Sequence, residues 1–209
     1  MIIGIDFDNT IACYETIFHK VALQEGLIDN NVGNSKNNVR DSLHNRGMFD
    51  EWTALQGEVY GNSMNQINPF PKVKECLQFF HKHKIEYYII SHKTQFSKKG
   101  TKYDLHQSAM QWLEKNFFNE NLGLNKSRVF FNETREKKIA KIAELKCTHF
   151  IDDLPAVFAE KEFPINVNKI LFDPKKVFCD ERNIRTVNSW DDILNLFNKG
   201  RDRNNLVFL

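Results

Sequence analysis

The sequence predicts an α/β protein in which a parallel sheet carries helices on both faces. Two observations predict this class. Short apolar runs alternate with segments of helical period along most of the chain, as in βαβ units. A block of helical pieces near residues 11–71 then separates the first strand from the second. That block is too long for a simple crossover, so we expect a small helical cap inserted after the first strand.

The composition is that of a globular protein. The chain has 209 residues, of which 41% are hydrophobic, enough to bury a core as one domain with a modest insertion. Its formal net charge of +2 gives no indication of nucleic-acid binding. No apolar run approaches the roughly 18 residues of a membrane helix, and a strand that starts at residue 2 leaves no room for a signal peptide. We therefore expect a cytoplasmic protein without a membrane partner.

The cysteines have none of the paired spacing of a zinc or redox motif. We expect reduced thiols at all four positions, which are Cys13, Cys76, Cys147 and Cys179.

The first third of the chain contains the first strand and the predicted cap. An apolar run starts at residue 2 and ends at two aspartates. Residues 11–27 read as one amphipathic helix, DNNVGNSKNN at 29–38 as a loop, and residues 39–55 as a second helix. The prolines of NPFPKV then end the block. We expect the cap to span residues 15–71 and the core to comprise residues 1–14 and 72–209.

The rest of the chain alternates between helices and strands. The predicted helices are KVKECLQFFHKHK at 72–84, residues 104–117, EKKIAKIAEL at 136–145 and SWDDILNLF at 189–197. The predicted strands are IEYYII at 85–90, RVFF at 128–131, THFI at 148–151 and NKILF at 168–172.

Two aspartates follow the first strand directly. Aspartate is depleted from strands, so Asp6 and Asp8 indicate either a turn or a site. Ligands of open parallel sheets bind at the carboxyl ends of the strands, where this pair would project. Asp152 and Asp153 end a later strand at the same edge. Because clustered carboxylates repel each other and take up protons unless a cation compensates them, the two pairs indicate a metal with all-oxygen ligands, Mg²⁺.

Four polar clusters follow one another along the chain: a strand ending in DxDxT, a strand ending in Ser, a helix beginning with Lys, and a strand ending in DD. Taken in this order they resemble the four motifs of the haloacid dehalogenase (HAD) superfamily of phosphatases. The resemblance covers the core from residue 1 to about residue 197. It implies a Rossmann-like, HAD-like core, Mg²⁺ as cofactor, and phosphoryl transfer through an aspartyl-phosphate.

The resemblance implies roles for the acidic residues. Asp6 matches the nucleophile, and Asp8 matches the general acid and base, which in this family also lends its backbone carbonyl to the metal. Asp153 best matches the carboxylate that holds Mg²⁺, and Asp152 is a ligand or a partner beside it. The expected metal site therefore comprises Asp6, Asp8, Asp152 and Asp153.

The resemblance also implies residues that bind the phosphate. Ser91 matches the phosphate-binding hydroxyl of the second motif, and Thr10 the threonine that braces the loop after the nucleophile. Asn9 stands where many relatives have glycine. His92 and Lys93 follow Ser91 directly and are candidates for lining the substrate pocket, with a plain loop as the alternative.

The third motif leaves three lysines open. Lys137, Lys138 and Lys141 all lie near the start of one predicted helix. We favour Lys138 as the phosphate-binding lysine because its distance from the acidic pair suits family members with a short helix here. The alternative is that all three belong to a solvated helix face.

The resulting hypothesis is a Mg²⁺-dependent phosphatase that acts on a small phosphorylated metabolite, with sugar and cell-surface polysaccharide metabolism among the candidate pathways. A phosphotransferase that uses the same aspartyl-phosphate remains open, as does a non-enzymatic phosphate-binding or regulatory module. Receiver domains carry the acidic pair on the first strand and the phosphoacceptor on the third, which is not the order here. Two segments of the cap, CYET at 13–16 and RGMFDEW at 46–52, are candidates for substrate contacts.

Overall fold

The computed structural model of the protein describes residues 1–178 and 183–205. The described strands are β1 (Ile2–Ile5), β2 (Ala12–Cys13), β3 (Asn68–Pro69), β4 (Glu86–His92), β5 (Val129–Asn132), β6 (His149–Asp152), β7 (Asn168–Phe172) and β8 (Ile184–Val187). The described helices are α1 (Ile17–Gln24), α2 (Lys36–Asn45), α3 (Phe49–Tyr60), α4 (Val73–Lys82), α5 (Leu105–Phe117), α6 (Arg135–Glu144), α7 (Pro155–Phe158) and α8 (Trp190–Asn205).

A six-stranded sheet in the order β5-β4-β1-β6-β7-β8 forms the centre of the described fold. Neighbouring strands of this sheet run parallel, and β1 lies between β4 and β6. Ile5 at the end of β1 pairs with Ile89 on one side and with Ile151 on the other. The residues that follow these three strands therefore emerge side by side at the carboxyl edge of the sheet.

Helices cover both faces of the sheet, as the sequence predicts. Consecutive strand residues point to opposite faces, and they divide between two buried apolar clusters. Ile89 and Ile151 pack in the cluster that includes residues of α4, α5 and α8. Ile90 and Phe150 pack in the cluster that includes residues of α6 and α7. The predicted fold class, an α/β protein with a helical insertion after the first strand, is confirmed.

The insertion begins and ends at a two-stranded antiparallel ribbon. Ala12 of β2 pairs with Pro69 of β3, and the helices α1 to α3 lie between the two strands. The prediction of one continuous helix over residues 11–27 is wrong in its first part, because this pairing with a segment distant in the chain overrides the local helical period. The exact cap boundaries, residues 15 and 71, remain a prediction.

The second predicted cap helix is two helices. Gly47 has a φ of +73° between α2 and α3, a conformation that favours glycine and ends the first of them. The predicted loop at 29–38 is also too long, because Ser35 caps α2 by accepting a hydrogen bond from the backbone N–H of Asn38. The short elements β8 and α7 were not predicted.

Cys13, Cys76 and Cys147 are free thiols, as expected, and Cys179 lies outside the described residues. None of the helices in the described part of the chain combines the length and the apolar character that crossing a bilayer requires.

Candidate active site

The loop after β1 turns the chain sharply over the end of the sheet. The N–H of Asp6 donates to the carbonyl of Ile151 at 2.8 Å and so continues the pairing with β6 by one residue. The N–H groups of Ile11 and Ala12 then both donate to the carbonyl of Phe7 at 3.0 Å. Asn9 has a φ of +57°, which asparagine adopts more readily than most residues. This turn leaves the side chain of Asp6 at the carboxyl edge of the sheet.

Three carboxylates meet at this edge. Asp6, Asp152 and Asp153 can each offer one oxygen atom such that the three oxygens lie within 4.8 Å of one another. Lys138 Nζ lies 2.6 Å from both Asp6 Oδ1 and Asp152 Oδ2. The hydroxyl of Ser91 donates to Asp6 Oδ1 at 3.0 Å. The structure thus brings together five of the predicted site residues, from the ends of three strands and the start of one helix.

The electrostatics of this cluster fit a divalent cation. Burial raises the pKa of Asp6 to about 7; Lys138 opposes the rise, and Asp152 and Asp8 add to it. Burial also raises the pKa of Asp153 well above its usual value, reinforced by the charges of Asp152 and Asp6. If all three carboxylates were ionised, one ammonium would leave two negative charges for a bound cation to compensate. All-oxygen ligands with this charge are the donor set that Mg²⁺ prefers.

The two adjacent aspartates have different surroundings. Asp152 is buried, and both of its oxygens are used, Oδ2 by Lys138 and Oδ1 by the N–H of Leu154 at 2.9 Å. Asp153 is less buried, and its carboxylate has no hydrogen-bonding partner among the residues that the structure describes. Asp153 therefore has the lone pairs that a metal ligand needs, whereas Asp152 holds Lys138.

The three candidate lysines are separated by the geometry of α6. Thr134 caps this helix and accepts from the N–H of Lys137, which fixes which residues face inward. Lys138 is 2% exposed and points into the carboxylate cluster. Lys137 is exposed, and Lys141 pairs with Glu144 at the surface. Burial by itself lowers the pKa of Lys138, but the charges of Asp152 and Asp6 outweigh it, and the net shift is upward.

Asp8 belongs to a second, neighbouring network. The hydroxyl of Tyr14 donates to Asp8 Oδ1 at 2.7 Å, and Lys93 Nζ lies 2.8 Å from Asp8 Oδ2. The side chain of Lys93 is 3% exposed. Its backbone N–H donates to the carbonyl of Asn132, and its backbone carbonyl is hydrogen-bonded to Nε2 of His106. The backbone of Lys93 is therefore held at both of its polar groups. The sequence indicated only that Lys93 could line the pocket, and it predicted none of these contacts.

Thr10 and His92 do not join the carboxylate cluster. Thr10 is fully buried, and its hydroxyl has no partner among the described residues, while its carbonyl accepts from the indole N–H of Trp190 at 2.9 Å. The turn after Asp6 is therefore held by the backbone hydrogen bonds to the carbonyl of Phe7 and not by the hydroxyl of Thr10. His92 is exposed and lines a cavity beside Asp8.

This cavity, of about 350 Å³, lies between the insertion and the core. One wall is a face of α3 formed by residues at helical spacing, Thr53, Gln56, Gly57 and Tyr60. The opposite wall is the segment after β4, and Asp8 lies at the cavity. Of the two segments expected to contact substrate, CYET supplies Tyr14 to Asp8, whereas RGMFDEW ends just before the α3 wall. The helical spacing of polar residues in α3 could have identified that wall.

Asp153→Asn should weaken Mg²⁺ binding and stabilise the metal-free protein. The amide removes one of the mutually repelling charges, so in EDTA we expect a gain on the order of 1 kcal/mol in the free energy of unfolding. Because the pKa of Asp153 is raised on folding, its ionisation destabilises the fold at neutral pH. The gain should therefore shrink as the pH falls towards the unfolded-state pKa of about 3.9, and it should vanish below that pH, where the carboxyl is protonated in both states.

Thermal unfolding in EDTA and in Mg²⁺ checks this prediction, with the exposed Asp191→Asn as the matched control. A variant that kept the full Mg²⁺-induced rise in Tm would contradict the assignment of Asp153.

Comparison with known proteins gives one relative in sequence and several in structure. No protein-family model matches the sequence. A Bacillus cereus protein described as "Putative nucleotidase" is 30% identical over 150 residues, which are 71% of this chain and 69% of the relative.

Among solved structures, a "putative HAD-hydrolase" of Bacillus subtilis, described as bound to magnesium, has a TM-score of 0.62 at 9% identity and covers 94% of this chain and 98% of that one. A "predicted phosphatase" of Clostridium acetobutylicum has a TM-score of 0.58 at 14% identity, covering 95% and 98%. A haloacid dehalogenase-like hydrolase of Xanthomonas campestris has a TM-score of 0.54 at 12% identity, covering 95% of both chains. These structures share the fold.

Proposed function

The chain belongs to the haloacid dehalogenase superfamily of hydrolases, and we propose that it is a Mg²⁺-dependent phosphatase that hydrolyses a small phosphomonoester through an aspartyl-phosphate on Asp6. The observation that carries this proposal is the cluster of Asp6, Asp152 and Asp153 around the buried ammonium of Lys138. A carboxylate nucleophile, a cation site and a phosphate-binding ammonium are the groups that phosphoryl transfer to an aspartate requires.

Asp6 is the proposed nucleophile. Ser91 and Lys138 both donate to its Oδ1, whereas its Oδ2 accepts no hydrogen bond from the described residues. This oxygen attacks phosphorus, the ester P–O bond breaks, and the alcohol leaves. A cation held by Asp6, Asp153 and the backbone carbonyl of Asp8 would supply the positive charge that lets a phosphate dianion approach a carboxylate. Lys138 and the hydroxyl of Ser91 would bind the phosphoryl oxygens.

Asp8 is the proposed general acid and base. It lies at the cavity between α3 and the segment after β4, where the leaving group of a substrate bound at Asp6 would sit. There it gives a proton to the leaving oxygen and takes one from the water that hydrolyses the aspartyl-phosphate. Tyr14 and Lys93 hold its carboxylate in this position.

The cavity suits a small polar leaving group. About 350 Å³ holds a sugar or a nucleoside but not a folded phosphoprotein, and its walls contain threonine, serine, glutamine, histidine and lysine side chains. A sugar phosphate therefore fits, as does a precursor of a cell-surface polysaccharide. The second candidate is a nucleoside monophosphate, which the description of the Bacillus cereus relative favours.

Release of inorganic phosphate by the purified protein tests this function. With Mg²⁺ we expect hydrolysis of p-nitrophenyl phosphate and of members of a panel of sugar phosphates and nucleoside monophosphates. EDTA should abolish this activity, and Ca²⁺ should restore it poorly because its coordination is larger and less rigid. Turnover that persisted in EDTA would contradict the metal site. Transfer of phosphate to an added alcohol in place of water would identify a phosphotransferase.

A further inference from the structure

Lys36 of the insertion has an unusual position for a lysine. It is the first residue of α2, and its side chain is partly buried. Its Nζ lies 2.8 Å from the hydroxyl of Tyr60 and 5.0 Å from the ring centre of Phe18. No carboxylate of the described residues lies within ion-pairing distance of it. Its ammonium therefore packs against aromatic rings, partly shielded from water, and has no anionic partner among the described residues. A bound anion would stabilise a charge in this position.

Lys36 lies close to the active-site cavity, because the side chain of Tyr60, which it contacts, lines that cavity together with Asp8. Burial lowers the pKa of Lys36; the charges of Asp8 and Asp153 oppose this, and those of Lys93 and Arg40 add to it. The nearby carboxylates of Asp8 and Asp153 thus partly offset the cost of burying this ammonium. Asp8 is already paired with Lys93 and Tyr14, and Asp153 is a proposed metal ligand.

Lys36 and Lys93 approach the same aromatic ring. The Nζ of Lys93 lies 4.7 Å and that of Lys36 lies 5.4 Å from the ring centre of Tyr60. One lysine comes from the insertion and the other from the core. Asp8 is the one described carboxylate that forms an ion pair with either of them. The leaving-group side of the site consequently carries an excess of positive charge, separate from Lys138, which serves the phosphoryl group.

We propose that Lys36 and Lys93, on the ring of Tyr60, form a subsite for a second anionic group on the leaving alcohol of the substrate. This inference rests on the proposed function. The substrate class is then a phosphomonoester whose alcohol carries a carboxylate or a further phosphate. The subsite selects such substrates over neutral alcohols, because the second anion compensates the charge of Lys36, which has no other anionic partner among the described residues.

Matched substrate pairs test the subsite. Glycerol 3-phosphate against 3-phosphoglycerate tests a carboxylate, and uridine 5′-monophosphate against uridine 3′,5′-bisphosphate tests a phosphate. For the protein with Mg²⁺ we expect kcat/KM to favour the more anionic member of at least one pair by about tenfold or more, the value of a charge-assisted contact. The pair that shows the preference identifies the anion.

The variants Lys36→Met and Lys36→Gln should bring this ratio close to one, and Lys36→Arg should keep most of it. Lys20→Met is the matched control, because Lys20 lies on the same insertion, is exposed and binds Gln66; it should leave the ratio unchanged. Thermal unfolding identifies any variant that fails to fold.

Three outcomes would overturn the inference. Wild-type protein that hydrolyses both members of each pair equally has no such subsite. Loss of kcat/KM to the same extent for both members in the Lys36 variants would place this lysine on the transferred phosphoryl group. Absence of phosphate release from every ester, p-nitrophenyl phosphate included, would contradict the proposed function itself, and the inference with it.

Discussion

Asp6→Asn is expected to abolish turnover, with a fall in kcat of at least about 10⁴, or more than ~5 kcal/mol of barrier. An amide is a poor nucleophile and a weaker ligand for a cation than a carboxylate. The fold should survive, because asparagine has nearly the same shape as aspartate in the turn after β1 and Lys138 keeps its ion pair with Asp152. Stability in EDTA should not fall steeply, since one of three crowded carboxylates becomes neutral.

Single-turnover phosphate release with p-nitrophenyl phosphate and Mg²⁺ measures this effect. An aryl ester is the most informative substrate because its leaving group needs little acid assistance. The loss of activity with this ester therefore reports on the attack of Asp6 at phosphorus. Asp29→Asn, at an exposed position of the insertion, is the control for the chemical change and should retain full activity. Near wild-type activity in folded Asp6→Asn protein would remove Asp6 from the role of nucleophile.

The core of the site was predictable because local signals and topology agree there. Apolar runs of strand length marked β1, β4 and β6, and the polar residues after each run fell at one edge of the sheet once the strands were parallel. Lys138 was favoured through the resemblance, because its distance from the acidic pair suits family members with a short helix, and in the structure it is buried and points inward. Asp6, Ser91, Asp152 and Asp153 could therefore be grouped from strand ends and from the order and spacing of the four motifs, and Lys138 was the favoured one of three lysines.

The insertion was less predictable because its structure depends on contacts between distant residues. The ribbon of β2 and β3 joins residues near 12 and 69, and no local period indicates that pairing. The contact of Lys36 with Tyr60 likewise joins segments that the sequence gives no reason to place together, whereas Lys93 was expected at the pocket but not as the partner of Asp8. The subsite on Tyr60 emerges only when the insertion is folded against the core.

Lys138→Met should have the second large effect, on activity and on stability together. Without the ammonium we expect kcat to fall by about 10²–10³ or more, as when a preorganised charge is removed from a transition state. In EDTA the free energy of unfolding should fall by about 3–5 kcal/mol, because Asp6 and Asp152 lose their partner inside the protein. The raised pKa of Lys138 keeps its ammonium charged at neutral pH, and the stability that depends on this charge is lost only in strong alkali.

The effect of Mg²⁺ distinguishes a catalytic role of Lys138 from a role in stability alone. A cation bound by Asp6 and Asp153 compensates part of the charge that Lys138 leaves behind, so Mg²⁺ should raise the Tm of Lys138→Met by more than it raises that of the wild type, without restoring turnover. The matched control is Lys141→Met on the same helix, where the surface pair with Glu144 contributes at most about 1 kcal/mol and activity should stay within about twofold. If Lys141→Met lost more activity than Lys138→Met, the phosphate-binding lysine would lie about one turn further along α6, and the ion pairs of Lys138 would serve the fold alone.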